Sequence, residues 1–213
     1  SLISKYLKAG VMVKGKYEET KLGTPQGGNL SPILSNIMLN ELDKELESRG
    51  LHFVRYADDC VIAVGSSAAA SRVMHTITKW IERKLGLKVN AAKTKVTKPS
   101  NLKYLGFGFV KMGNKWECRP HKDSLDKFKR KLKALTKRSW SISMGIRIQR
   151  LNWVIRGWIN YFRIGKMKTN MTRIDEHLRN RVRIVIWKQW KTRQKRMWGL
   201  RKLGAPEWMA RKS

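Results

Sequence analysis

Apolar positions recur along this chain with two different periods. Leu34, Ile37, Met38, Leu42 and Leu46 return every three or four residues, the spacing of one helix face. Ser31 stands as its cap, Pro32 as its first helical residue and Gly50 as its stop. Val73, Met74, Ile77, Trp80, Ile81 and Leu85 form a second stripe, opened by Ser66 or Ser67 and closed by Gly86. Between them, Phe53–Tyr56 and Val61–Val64 have strand composition and flank Ala57-Asp58-Asp59-Cys60, which predicts a tight hairpin. Its flanks are almost free of charge, so the strands are expected to be buried against a core. Leu87–Asn90 and Thr94–Thr97 read as short strands. Tyr104–Lys111 and Lys115–Arg119 read as a hairpin turning at Met112-Gly113-Asn114. Upstream, residues 2–9 end a helix at Gly10, and Val11–Leu22 folds back around Lys14-Gly15-Lys16. The stretch from Gly23 to Asn29 is too rich in Gly and Pro to be regular.

After Pro120 the pattern becomes helical throughout. Leu125, Phe128, Leu132 and Leu135 fit one helix. Ile148, Leu151, Ile155, Trp158 and Phe162 fit a second, with Gly165 behind it. Ile174, Leu178, Val182, Val185 and Gln189 fit a third. Basic outer faces on three helices suggest a small bundle. The tail from Lys191 is basic and aromatic, and partial order is expected there. The predicted fold class is α+β: a mixed or antiparallel sheet backed by helices over residues 1–119, a three-helix bundle over 120–190, and a basic tail over 191–213.

Charge narrows the function. Lys and Arg number 47 against 15 Asp and Glu, a formal net charge of +32. Such a chain needs a polyanionic partner or high salt, and of partners nucleic acid fits best. Residues 1–115 carry 19 basic and 9 acidic side chains, net +10, and residues 116–213 carry 28 and 6, net +22, so the second half is the stronger electrostatic binder. A hydrophobic fraction of 41% and nine Trp argue against a disordered basic tail. Cys60 and Cys118 stand apart from any CxxC pair, which argues against a zinc site or a disulfide framework and fits a reducing, intracellular setting. No apolar run reaches membrane-span length, and no signal-peptide pattern opens the chain. It begins in mid-helix pattern without Met, and so reads as a piece of something longer.

Two adjacent carboxylates, Asp58 and Asp59, at a hairpin tip repel each other. A divalent cation would offset that, and Mg²⁺ prefers a few hard carboxylate oxygens together with substrate phosphates. Asp is also common in ordinary turns, so the pair alone is ambiguous. Four blocks in order change the weighing: Gly23-Thr24-Pro25-Gln26-Gly27-Gly28-Asn29-Leu30-Ser31-Pro32, a Gly-rich loop into a helix N-terminus; Tyr56-Ala57-Asp58-Asp59; Leu87-Lys88-Val89-Asn90-Ala91-Ala92-Lys93-Thr94-Lys95; and Tyr104-Leu105-Gly106-Phe107. In this order and spacing they closely resemble the palm of group II intron reverse transcriptases, or maturases. Leu151-Asn152-Trp153-Val154-Ile155-Arg156-Gly157-Trp158-Ile159-Asn160-Tyr161-Phe162 resembles the maturase-specific thumb, or X domain, of the same family.

The resemblance implies roles. Asp58 and Asp59 match the hairpin carboxylates that hold catalytic Mg²⁺. Pro25, Gln26, Gly27 and Tyr56 match the nucleotide and template pocket. Lys93 stands where a lysine near the triphosphate protonates the leaving pyrophosphate. Leu105, Gly106 and Phe107 match the primer grip. Apart from the resemblance, the net charge of +22 in residues 116–213, interleaved with Trp, makes Arg179, Arg181, Arg183 and Trp187 the candidate RNA contacts of the helical half. The family's palm carries a further metal-binding aspartate on a strand that should precede the Leu2–Leu7 helix, and no Asp or Glu in residues 1–17 replaces it by position. The chain by itself is therefore expected to have an incomplete metal site and to extend no primer. The implied activity is RNA-directed DNA polymerisation with splicing maturase function. The implied partners are group II intron RNA, RNA template with DNA primer, dNTPs, and a separate polypeptide supplying fingers and upstream palm. The implied setting is bacterial cytoplasm or an organelle. The alternative is an RNA-binding remnant that assists intron folding and splicing without polymerising.

Overall fold

The computed structural model describes residues 2–13, 15–19 and 30–212. The chain divides into two compact units, residues 1–97 and 98–213. The architecture is α+β, with three small antiparallel sheets and eight α-helices among the described residues.

In the first unit, α1 (Leu2–Lys8) leads into the hairpin β1 (Val11–Val13) and β2 (Lys16–Glu18), paired Val11 to Glu18. Helix α2 (Ser31–Ser48) takes Leu30 as N-cap, so Ser31 is its first residue and not the predicted cap. Gly50 ends the helix as expected: it has a positive φ of 63°, and the Leu51 amide reaches back to the Leu46 carbonyl at 3.1 Å. Strands β3 (His52–Tyr56) and β4 (Asp59–Ala63) form the next hairpin, and α3 (Ser67–Trp80) follows, capped by the Ser66 hydroxyl accepting from the Ala69 amide at 3.1 Å. A π-helical turn, Ile81–Leu85, finishes this helix at Gly86.

Leu42, Leu46 and Ile77 are the buried centre of this unit, with Leu39, Phe53, Cys60, Ile62, Val73 and Trp80 packed around them. Each fully buried Leu or Ile contributes about 2 kcal/mol of burial free energy. Ile37 and Met38, predicted to face the core, are 65% and 46% exposed. The first half of α2 is apolar on several sides (Ile33, Leu34, Ile37, Met38, Leu39), so its periodicity does not choose a face; the hairpin packing on Leu42 and Leu46 does. Leu87–Asn90 and Thr94–Thr97 form no ladder among the described residues, so the expected mixed sheet is instead a set of separate antiparallel pieces.

The second unit opens with a sheet of β5 (Lys103–Tyr104), β6 (Phe107–Met112) and β7 (Lys115–Pro120). The predicted strand Tyr104–Lys111 is broken at Leu105-Gly106. Both residues have positive φ, 48° and 81°, and make a two-residue turn. Helices α4 (Lys122–Leu135), α5 (Met144–Phe162) and α6 (Lys168–Gln189) follow and share one core of Phe128, Leu132, Leu151 and Ile174. Trp158 stacks on Phe128 at 4.5 Å and tilts against Phe162 at 4.5 Å, and Phe162 meets Phe107 of β6 at 4.9 Å. This aromatic row ties the sheet to α5. The boundary between the compact units lies at 97/98, ahead of this sheet.

The C-terminus of α4 is held by two arginines from its neighbours. Arg147 of α5 is fully buried and donates to the carbonyls of Leu135 at 2.5 Å, Lys137 at 3.3 Å and Trp140 at 2.6 Å. Arg181 of α6 donates to Thr136 Oγ1 at 2.7 Å and to the Lys133 and Thr136 carbonyls at 3.1 and 3.3 Å. Helix-end carbonyls lack partners within their own helix and carry the negative end of its dipole, so cations satisfy them twice over. Arg147 takes the inward position on α5, which turns its neighbour Ile148 outward to 46% exposure, against the predicted stripe. The tail is more ordered than expected: it forms α7 (Arg193–Lys202) and α8 (Glu207–Arg211). Thr192 caps α7, and Gly199 packs so closely under the Trp190 ring that a Cβ there would collide with it.

Candidate active site and nucleic-acid interface

The β3–β4 hairpin closes with Tyr56 paired to Asp59, leaving Ala57 and Asp58 as a two-residue loop. Asp59 therefore begins a strand. Ala57 has a φ of 53°, the positive φ that the first central position of a II′ turn requires. Side chains alternate across the hairpin. Phe53, Arg55, Cys60 and Ile62 lie on the face toward α2 and α3, whereas His52, Val54, Tyr56 and Asp59 lie on the other. The hairpin packs against the core as expected, but with one face: Phe53, Cys60 and Ile62 meet the Leu42, Leu46 and Ile77 cluster, whereas on the other face Val54 is 62% and Tyr56 66% exposed.

Arg55 fixes this tip. Its guanidinium forks onto Asp43 of α2, Nε to Oδ1 at 2.7 Å and Nη2 to Oδ2 at 2.5 Å. Its Nη1 also donates to the Asn36 side chain at 2.9 Å and to the Ala57 carbonyl at 2.8 Å. A planar fork matches a carboxylate in this way and fixes orientation as well as distance. The turn that displays Asp58 is thus bolted to α2. Arg55, Asp43 and Asn36 are the residues that sequence reasoning missed. The signal available was a lone Arg within an otherwise uncharged strand pattern. Burial pushes the Cys60 thiol up to about 11, with the Asp43 charge adding to the rise and Arg55 opposing it.

Asp58 and Asp59 are both exposed. As adjacent carboxylates with hard oxygen donors they fit part of a Mg²⁺ coordination sphere. Among the described residues no group of three or more His, Cys, Asp or Glu side chains comes together. Lys93 is exposed, in a turn where its amide is held by the Asn90 carbonyl at 3.1 Å and the Asn90 side chain at 3.2 Å. Pro25, Gln26 and Gly27 lie outside the described residues.

Leu105, Gly106 and Phe107 belong to the second unit, at the β5–β6 turn. The Leu105 carbonyl accepts from the Tyr161 hydroxyl at 2.9 Å, and the Gly106 carbonyl from the Ser124 hydroxyl at 2.8 Å and the His121 amide at 2.9 Å. Gly106 is needed here: its φ is positive, and a Cβ would stand 3.1 Å from Ser124 Oγ and 3.3 Å from the Phe162 ring.

The four candidate RNA contacts separate. Arg179 is exposed and pairs with Asp175 at 2.7 Å; Arg183 is exposed and donates to Asn180 at 3.3 Å. Arg181 is half-buried and committed to the end of α4, so it faces inward. Trp187 is 42% exposed, with the Arg196 guanidinium 5.0 Å from its ring centre. No helix among the described residues is long and apolar enough to cross a membrane.

Residues 1–109 match the reverse transcriptase (RNA-dependent DNA polymerase) family, and residues 125–204 match the maturase-specific domain of group II introns. The chain is similar to Protein YkfC of Escherichia coli K12, 30% identical over 149 residues, which covers 54% of this chain and 38% of that protein. It is similar to the group II intron-encoded protein LtrA of Lactococcus lactis, 38% identical over 95 residues, covering 45% of this chain and 15% of that one. A COX1/OXI3 intron 2 protein of Saccharomyces cerevisiae is 28% identical over 180 residues, 57% of this chain and 21% of its own length. The chain thus spans well under half of these relatives. With the reverse transcriptase match over residues 1–109 and the maturase-specific match over residues 125–204, the chain belongs to the reverse transcriptase family, among the group II intron reverse transcriptase/maturases.

Proposed function

We propose that this chain contributes palm and thumb elements to an RNA-directed DNA polymerase that also acts as a maturase on its intron RNA. The observation that carries the reading is the Asp58-Asp59 tip, held by the Arg55–Asp43 fork in a chain of this family. The reaction is in-line attack of a primer 3′-hydroxyl on a nucleotide α-phosphate, with pyrophosphate leaving. Asp58 and Asp59 would hold Mg²⁺, which when bound supplies charge neutralisation at the attacking and departing oxygens. Arg55 and Asp43 keep the two carboxylates in place. Tyr56, exposed beside Asp59, would line the nucleotide pocket together with Pro25, Gln26 and Gly27. Lys93 would hand a proton to the departing pyrophosphate. Leu105, Gly106 and Phe107, held by Tyr161 and Ser124, would grip the primer end. Arg179, Arg183 and Trp187 would contact intron RNA.

Primer extension on an RNA template tests this, run with the chain alone and with an added fingers-plus-upstream-palm polypeptide. Extension that needs Asp58 supports the reading. No extension under either condition, with intron RNA binding retained, favours the second reading: an RNA-binding maturase remnant. That reading draws on the net charge of +22 in residues 116–213.

A further inference from the structure

Apart from the Asp58-Asp59 hairpin, the second unit carries a shallow groove of about 500 Å³ lined by cations and an indole ring. Arg183, Trp187, Lys188 and Lys191 supply one wall, with Arg138 from the segment after α4 and Arg196 from α7. Ile184 completes it. Five of the seven lining residues are cations and none is acidic.

The groove is assembled from three pieces of chain. Residues 183, 184, 187 and 188 repeat at the helical spacing of neighbours on one face, and Lys191 continues that line just past the end of α6. Arg196 is fixed twice: its Nε donates to the Trp190 carbonyl at 3.1 Å, and its guanidinium lies over Trp187. Trp190 is in turn seated on Gly199, so α7 is pinned against the end of α6. The result is a groove in which the Trp187 ring, with the Arg196 guanidinium over it, is bordered by Arg138, Lys188 and Lys191.

We propose that this groove is a binding site for an unpaired RNA strand, with a base stacked at Trp187 and Ile184 and the flanking phosphates on Arg138, Arg183, Lys188 and Lys191. It rests on the reading of the helical unit as RNA-binding, and deepens it by assigning strand type and place. An exposed indole ring and an apolar neighbour suit the face of an unstacked base, which a duplex does not present. Cations on the border suit the phosphates on either side of that base.

The test uses the full chain and fluorescence anisotropy with a short oligouridylate, a blunt RNA duplex of equal length, and an oligothymidylate. Circular dichroism checks that each variant is folded. Trp187→Ala should weaken oligouridylate binding about tenfold and duplex binding less than twofold, and Trp187→Phe should recover most of the loss. Arg138→Gln with Lys191→Gln should lower the slope of log affinity against log salt for the single strand by about one. If Trp187→Ala changes neither ligand, or both equally, the groove is not the site, although RNA binding by the helical unit stands. If the wild-type chain binds neither RNA, the underlying reading falls as well. Tighter binding of oligothymidylate than of oligouridylate overturns the assignment to RNA.

Discussion

Arg55 on β3 and Asp43 on α2 make a two-pronged ion pair that sets where the Asp58-Asp59 tip stands. Both side chains are largely shielded, 12% and 24% exposed, so water does little to weaken the pair. Arg55→Ala should cost about 2 kcal/mol of stability, and Arg55→Lys should recover only part, because an ammonium cannot fork. In a double-mutant cycle with Asp43→Ala, urea denaturation should report a coupling of about 1 kcal/mol or more. Additive losses would show that the two residues act separately.

Asp58→Ala sits in an exposed turn and should leave stability within about 0.5 kcal/mol of wild type. In a protein carrying the remaining polymerase elements it should abolish Mg²⁺-dependent DNA synthesis and leave intron RNA affinity within a few-fold. Primer extension and filter binding on the same preparation read the two effects. A large loss of RNA affinity would place this carboxylate in the RNA interface.

The three arginines of α6 should respond differently. Arg181→Ala removes the bonds to Thr136 and Lys133 and should lower stability by about 1–3 kcal/mol, with little change in the salt slope of RNA binding. Arg179→Gln with Arg183→Gln should do the reverse, leaving the melting temperature nearly unchanged and flattening the slope. Thermal melts and salt titrations of the two variants separate these outcomes. Equal slopes in wild type and the Arg179/Arg183 variant would remove this stretch of α6 from the RNA surface.

Asp123, in the first turn of α4, accepts from Lys103 Nζ at 2.7 Å, and that hydrogen bond is the main cause holding its carboxyl below its ordinary value of 3.8. A depressed folded value means that the unfolded chain takes up the proton first. The contribution is therefore present above pH 3.8 and is lost as pH falls through the folded value. Asp123→Asn should flatten the decline of the urea midpoint over that acid range, and Lys103→Gln should do the same. An unchanged acid profile in both would mean that the pair contributes nothing to stability.

The sequence by itself determined the elements whose signals are local. Gly50 and Gly86 stop helices because a chain leaving a helix needs positive φ there, Ser66 caps α3 with its own hydroxyl, and Tyr56–Asp59 folds back over two residues. Helices α4, α5 and α6 were legible from their apolar stripes, and the order of the four sequence blocks pointed to the family. Tertiary packing decided what periodicity leaves degenerate. Ile37 and Met38 are as apolar as Leu42 and Leu46, but only the latter meet the hairpin. Leu87–Asn90 and Thr94–Thr97 have strand composition without a ladder, since a strand needs a partner as well as a propensity. Among the candidate site residues, the sequence could place Asp58 and Asp59 at a tip but could not show Arg55 reaching Asp43, 12 positions upstream, to hold it. Nor could it divide Arg179, Arg181 and Arg183 into two outward cations and one helix cap. Their spacing shows that they cannot share a face, but only the position of the α4 C-terminus decides which of them is spent on the fold.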